Sequence, residues 1–227
     1  DTPAVNLFII FALHIALIVN VKRMNAQPQY WQQHVDYNIK GFFDKENKTL
    51  FGHEVIVYHN NSPETLNELY LHLWGNAFSE TGTPYALSAS RNGQRAFYKL
   101  SSEQRGFQKI VSIKSSASQL ETQRIDDFGE IIKIKNLSIA AGQTLELEIE
   151  FEYKLPYLTS RGGYVNDNYV FTQWYPKVAK FDSEGWHLKS YTDHAEFYND
   201  FGKYEVNLLV PSNWNMASSG RLKILEP

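Results

Sequence analysis

The sequence predicts an all-β protein, built of mostly antiparallel twisted sheets or a β-sandwich and preceded by an apolar N-terminal segment. Three observations carry this. Residues 144–153, TLELEIEFEY, alternate throughout: Leu145, Leu147, Ile149, Phe151 and Tyr153 fall on one side, Glu146, Glu148, Glu150 and Glu152 on the other. That is the period of a strand with one face on a core and one in water. Short runs rich in β-branched and aromatic residues recur along the chain between turn-forming clusters. After residue 27 there is no heptad, no internal repeat and no long stretch of helical period.

The elements follow in order. Residues 5–19, VNLFIIFALHIALIV, form an apolar run interrupted only by Asn6 and His14. It is short for a spanning helix and suits the apolar region of a secretory signal, with the small Ala26 at a cleavage point. Lys22, Arg23 and Met24 after the run speak against cleavage. Residues 1–26 are therefore expected to be a signal peptide or a membrane anchor, the anchor running through residues 5–21, with a buried helix as a third alternative. Either of the first two makes the rest secreted, periplasmic or membrane-anchored outside the cytoplasm. Residues 27–227 are expected to form one β domain. Residues 35–44 make a strand, KENK turns the chain, and residues 49–60 return as a second strand, with Gly52 a candidate bulge. Pro63 lies in a turn. In LNELYLHLWG, Leu69, Leu71 and Leu73 share one face and Tyr70, His72 and Trp74 the other. Residues 78–106 read as a long excursion holding one short helix. QKIVSIK, GEIIKIKN, YVFTQW and KYEVNLLVP complete the strands.

Composition narrows function. With 227 residues, 43% hydrophobic and 15% aromatic, the chain can bury a sizeable core. A net charge of −3 without charge blocks gives no nucleic-acid surface. Zero cysteines exclude disulfides, thiolate metal sites and a cysteine nucleophile. G-x-S-x-G, a P-loop and H-E-x-x-H are absent.

Within GHEVIVYH, His53 and Glu54 begin like a zinc-peptidase motif. That motif works on a helix, where residues i and i+4 share a face; here i+4 is Val57, and the next histidine, His59, is at i+6. On a strand those two histidines lie about 20 Å apart, too far to share an ion. The glutamate row of residues 146–152 reads as a solvated sheet face. The densest polar run, Asp182 to Asp200, brings His187 and His194 together with Glu184, Asp193 and Glu196. A metal or acid–base pair there is weighed against an ordered polar loop, which its interleaved aromatics favour. Trp74, Trp174, Tyr175, Trp186 and Trp214 read as core rather than as a sugar-stacking platform.

Four stretches in order resemble the N-terminal domain of the aminopeptidase-N-like (gluzincin) zinc metallopeptidases. The first is GHEVIVYHNNSPETLNELYLHL, in which Gly52, Ile56, Tyr58, Asn60, Asn61, Ser62, Leu66, Leu69, His72 and Leu73 fit the family pattern. The second is LSIAAGQTLELEIEF, with Ala141 where the family has proline. The third is FTQWYPKVAKFDSEGWH, matched at Thr172, Gln173, Pro176, Phe181 and Asp182. The fourth is the strand region of residues 195–220. The resemblance implies a saddle-shaped β domain that walls the substrate cleft ahead of a thermolysin-like catalytic domain. It also implies a peptide substrate and zinc held downstream; this chain has no catalytic residue, metal ligand or cofactor of its own by that reading. Gln173 matches the family's amine-holding glutamine, whereas Tyr175 stands where the family has glutamate; these two are the expected substrate-binding residues. A phenol accepts a hydrogen bond but carries no charge at neutral pH. The alternative function is a stand-alone β-sandwich module binding peptides or glycans.

Overall fold

A computed structural model describes residues 30–116, 119–157, 160–194 and 197–223. The chain divides into two units, residues 1–31 and 32–227. The first is described only at residues 30 and 31, so the expected signal or anchor lies outside the described residues. Among the described residues no helix is long and apolar enough to cross a membrane. Strand makes up 40% and helix 10%, with no barrel: the fold is all-β.

The strands are β1 (His34–Asp44), β2 (Thr49–His59), β3 (Leu69–His72), β4 (Phe107–Lys114), β5 (Glu121–Arg124), β6 (Ile131–Lys135), β7 (Thr144–Lys154), β8 (Gly163–Val165), β9 (Asn168–Val170), β10 (Lys177–Val178), β11 (Phe181–Asp182), β12 (Gly185–Trp186) and β13 (Tyr204–Leu209). A five-stranded sheet runs β13-β1-β2-β7-β4 and a four-stranded one β10-β3-β6-β5; β8-β9 and β11-β12 are small hairpins. Every pairing is antiparallel except β1 with β13.

The large sheet follows its alternation. On β7 the leucine–isoleucine–phenylalanine–tyrosine side is buried and the glutamates face outward. On β2, Leu50, Glu54, Ile56 and Tyr58 enter the core. The buried faces of the two sheets meet: the Tyr37 hydroxyl accepts the Val178 N–H at 3.0 Å. The turn after β2 is knotted by Asn60, whose amide donates to the carbonyls of Glu64 (2.7 Å) and Ile139 (2.8 Å) while its oxygen accepts from Ser62 Oγ at 2.6 Å.

Two expectations change, at Gly52 and at YVFTQW. Gly52 is no bulge: it pairs with Gly41 on one side and Phe151 on the other in unbroken register, and the irregularity falls at Ile110/Ser112 in β4. Its glycine is needed because a Cβ there would lie 2.2 Å from the Phe151 ring, an arrangement in which the aromatic covers the missing side chain. The strand β3 keeps its two faces, but both are buried, since Ala179, Trp186 and Leu188 cover Tyr70. YVFTQW is strand only at its start, because Gln173 takes the left-handed conformation with φ 51°, which breaks any ladder.

The excursion does hold one helix, α1 (Pro84–Arg91). Pro84 starts it, and Thr83 Oγ1 caps it by accepting the Ala86 N–H at 3.2 Å. It packs with the turn of Trp74–Phe78, Phe97 and Tyr191 into an aromatic core of its own.

Candidate functional site

The segment entering β10 carries both expected substrate residues. Trp174 is buried against Phe151 and Phe171, at ring separations of 6.2 and 6.4 Å. Gln173, just before it, faces a cleft lined with Trp74, Tyr153, Arg161, Thr172, Tyr191 and Phe197. Its Oε1 is out of solvent contact and accepts no hydrogen bond. An orphaned carbonyl oxygen in a left-handed backbone is the kind of strain that functional positions hold.

Tyr175 turns elsewhere. In a strand, residues two apart would share a side; the left-handed Gln173 removes that relation. The Tyr175 ring packs edge-on against Tyr37 at 5.5 Å and Trp174 at 5.3 Å, and its hydroxyl bonds to that of Tyr204. It is not among the residues lining the Gln173 cleft. Burial, and then the neighbouring Tyr204, hold its phenol well above the usual range, so it stays neutral.

Two titratable side chains sink into the core beside these tyrosines. Glu54 is 0% exposed with neither carboxylate oxygen partnered, and burial pushes its carboxyl well above the usual range. Lys177 places Nζ 5.6 Å from the Tyr175 ring centre and 5.7 Å from that of Tyr204. Desolvation lowers it to about 8. Glu54 therefore shares none of the surface setting of its neighbour His53, which pairs with Glu148 on β7 at 2.9 Å.

The polar run of residues 182–200 is spent on separate structural bonds. Asp182 accepts from His187 Nε2 at 2.8 Å, from Tyr198 Oη at 3.2 Å and from the Glu184 N–H at 2.9 Å. Lys180 and Asp200 form a buried ion pair. Asp193 takes Ser88 Oγ and Asn92 Nδ2, anchoring the loop to α1. Glu196 lies outside the described residues. Trp74 and Trp174 are buried as expected of a core; Trp186, against Tyr70 and Phe181, and Trp214, stacked on Tyr169 at 4.7 Å, are only half-buried.

One cluster was not anticipated. His34, Asp36 and His59 present ligand atoms within 4.8 Å of one another on the outer face of β1 and β2, the one such group among the described residues. The signal was in the sequence: His34-x-Asp36 opens β1, and the turn at Asp44 to Thr49 sets a register that puts His34 opposite His59. Along β2, His53 and His59 are too far apart to share an ion; across the hairpin, His34 and Asp36 come within reach of His59.

No family model matches the chain, and no curated protein matches it. Among solved structures it is similar to an M1 zinc metallopeptidase from Deinococcus radiodurans, a mutant bound to a Tyr-Ser-Ala substrate. The two are 14% identical with a TM-score of 0.43, over 85% of this chain and 35% of that one. The chain thus spans about a third of the length of that protein. At this level the likeness assigns neither family nor activity; the class defined by the fold is an all-β domain of two sheets.

Proposed function

We propose that the chain is a non-catalytic N-terminal β domain of a zinc metallopeptidase of aminopeptidase N type, secreted or anchored outside the cytoplasm. It walls one side of the substrate cleft that a downstream catalytic domain completes. The observation that carries this is Gln173: the residue matching the family's amine-holding glutamine is left-handed and lines a cleft, and its buried Oε1 has no hydrogen-bond partner. A carboxamide oxygen is a suitable acceptor for a peptide's free ammonium. With Tyr175 neutral and turned away, capture of the amine rests on Gln173 without a carboxylate from this segment. Support also comes from the solvent face of the large sheet. Leu209, Phe42 and Phe51 stand in register across β13, β1 and β2, exposed by 67%, 50% and 44%. Such a row suits contact with a neighbouring domain.

Peptide hydrolysis would then belong to zinc in the downstream domain. The purified 227-residue chain is expected to leave an aminoacyl reporter intact; chelator-sensitive turnover would overturn the non-catalytic assignment. A reading frame that continues without H-E-x-x-H would overturn the peptidase. In the longer protein, Gln173→Ala is expected to raise KM about tenfold for peptides with a free amine and to leave kcat nearly unchanged. An equal effect on N-acetylated peptides would remove the amine-binding role.

A further inference from the structure

We propose that His34, Asp36 and His59 form a binding site for one divalent transition-metal ion of the zinc class. The site lies at the paired ends of β1 and β2 and is independent of the peptidase assignment.

The backbone builds it. Antiparallel register sets His34 opposite His59, and Asp36 opposite Val57, one pair further in. Residues 34 and 36 share a face by strand period, and cross-strand partners share it too. Three side chains therefore converge without any loop. His34 Nε2 lies 2.7 Å from Asp36 Oδ1, and His59 Nε2 lies 3.6 Å from Oδ2. The two imidazoles meet edge to face, their centres 5.3 Å apart. Asp36 is held from the other side by the residue just before β13, where the Lys203 N–H donates to Oδ1 at 2.8 Å. An outer hydrogen bond of this kind orients a ligating carboxylate.

His59 Nε2 faces the same carboxylate from the second strand. It is out of solvent contact and makes no hydrogen bond, with Asp36 Oδ2 beyond bonding range. The ring's remaining surface is open, and all three residues are only half-buried, so an ion and one further ligand can approach from water.

The donors select the metal. Two imidazole nitrogens and one carboxylate oxygen are the protein ligands of open zinc sites, with the fourth position left for water. Calcium and magnesium prefer all-oxygen shells and have too few oxygens here. Bonds of about 2.0–2.1 Å at tetrahedral angles separate donor atoms by about 3.3 Å. The His34–Asp36 pair opens and the His59–Asp36 pair closes to reach that spacing. Side-chain rotation accomplishes both, and His34 then carries its proton on Nδ1.

The test is titration of the metal-stripped 227-residue chain with Zn²⁺, and with Co²⁺ as a spectroscopic probe. One equivalent should bind and shift the ring resonances of His34 and His59. His34→Gln and His59→Gln should each weaken zinc binding by about tenfold or more. His53→Gln, on the same strand face but paired with Glu148, should bind as the parent does. Absence of saturable binding overturns the site. So does binding that survives both His34→Gln and His59→Gln, or that is lost equally in His53→Gln. Should a variant fail to fold, by far-ultraviolet circular dichroism, the parent's ring resonances decide: unmoved His34 and His59 signals at one equivalent overturn it.

Discussion

Gln173 and Glu54 are both placed against their intrinsic preference. A left-handed backbone costs a residue with a Cβ about 1–2 kcal/mol, and Gln173 sits at φ 51°. Gln173→Gly is expected to raise stability by roughly 1 kcal/mol, measured by urea unfolding, while it removes the amide from the cleft. A gain in stability joined to a loss of amine-dependent binding separates function from fold at this position; a loss of stability would mean that the carboxamide holds the segment. Glu54 is a buried carboxyl without a partner. Its acid is neutral in the folded chain, since burial raises its pKa well above the usual value. Replacing it with the isosteric Gln is expected to stabilise the chain at pH 8, by about 1–3 kcal/mol, and to do little at pH 4. Equal effects at the two pH values would show that Glu54 has a charge partner when folded.

The strands are the elements most legible in the sequence, and glycine shows where legibility stopped. Alternation in β7 needs only one strand's own residues, so burial of Leu147 and exposure of Glu148 follow directly. Gly52 and Gly202 make sense only once a partner strand is in place. A Cβ on Gly202 would fall 1.6 Å from the Val35 carbonyl oxygen, where β13 approaches β1. Gly202→Ala is therefore expected to detach β13, exposing the amides of Tyr204 to Leu209 to hydrogen exchange while β2 and β7 stay protected. Gly52→Ala meets the Phe151 ring in the centre of the sheet and should cost about 1–3 kcal/mol by overpacking. The double variant with Phe151→Leu should recover part of that cost, and strict additivity would exclude the contact. The same limit governed the candidate sites. Gln173 was legible from its motif, but its divergence from Tyr175 depends on one backbone angle. The His34–Asp36–His59 cluster depends on hairpin register, which no single strand contains.

Across the whole molecule, buried titratable groups set how stability varies with pH. Glu130 ties the Tyr191 N–H to the second sheet at 2.9 Å, and burial raises its carboxyl to about 7. A raised carboxyl favours the folded chain fully below its unfolded pKa, near 4.5, and that share is lost as pH rises through 7. Glu54 acts in the same direction. His72 acts in the opposite one. It is stacked on Trp74 and desolvated, and its imidazole is lowered to about 4. The stability it contributes is present above 6.5 and lost as pH falls towards 4. Between pH 4.5 and 6.5 the histidine opposes the Glu130 carboxyl. The share of Glu130 in that window is about 1.4 kcal/mol per pH unit, the slope of a single proton. Glu130→Gln removes that share, so its unfolding free energy should gain about 2 kcal/mol on the parent's between pH 5 and 6.5. Urea denaturation of parent and variant at those two values measures both slopes. A variant that keeps the parent's slope would mean that Glu130 titrates at its ordinary pKa and that water reaches the carboxyl beneath Tyr191.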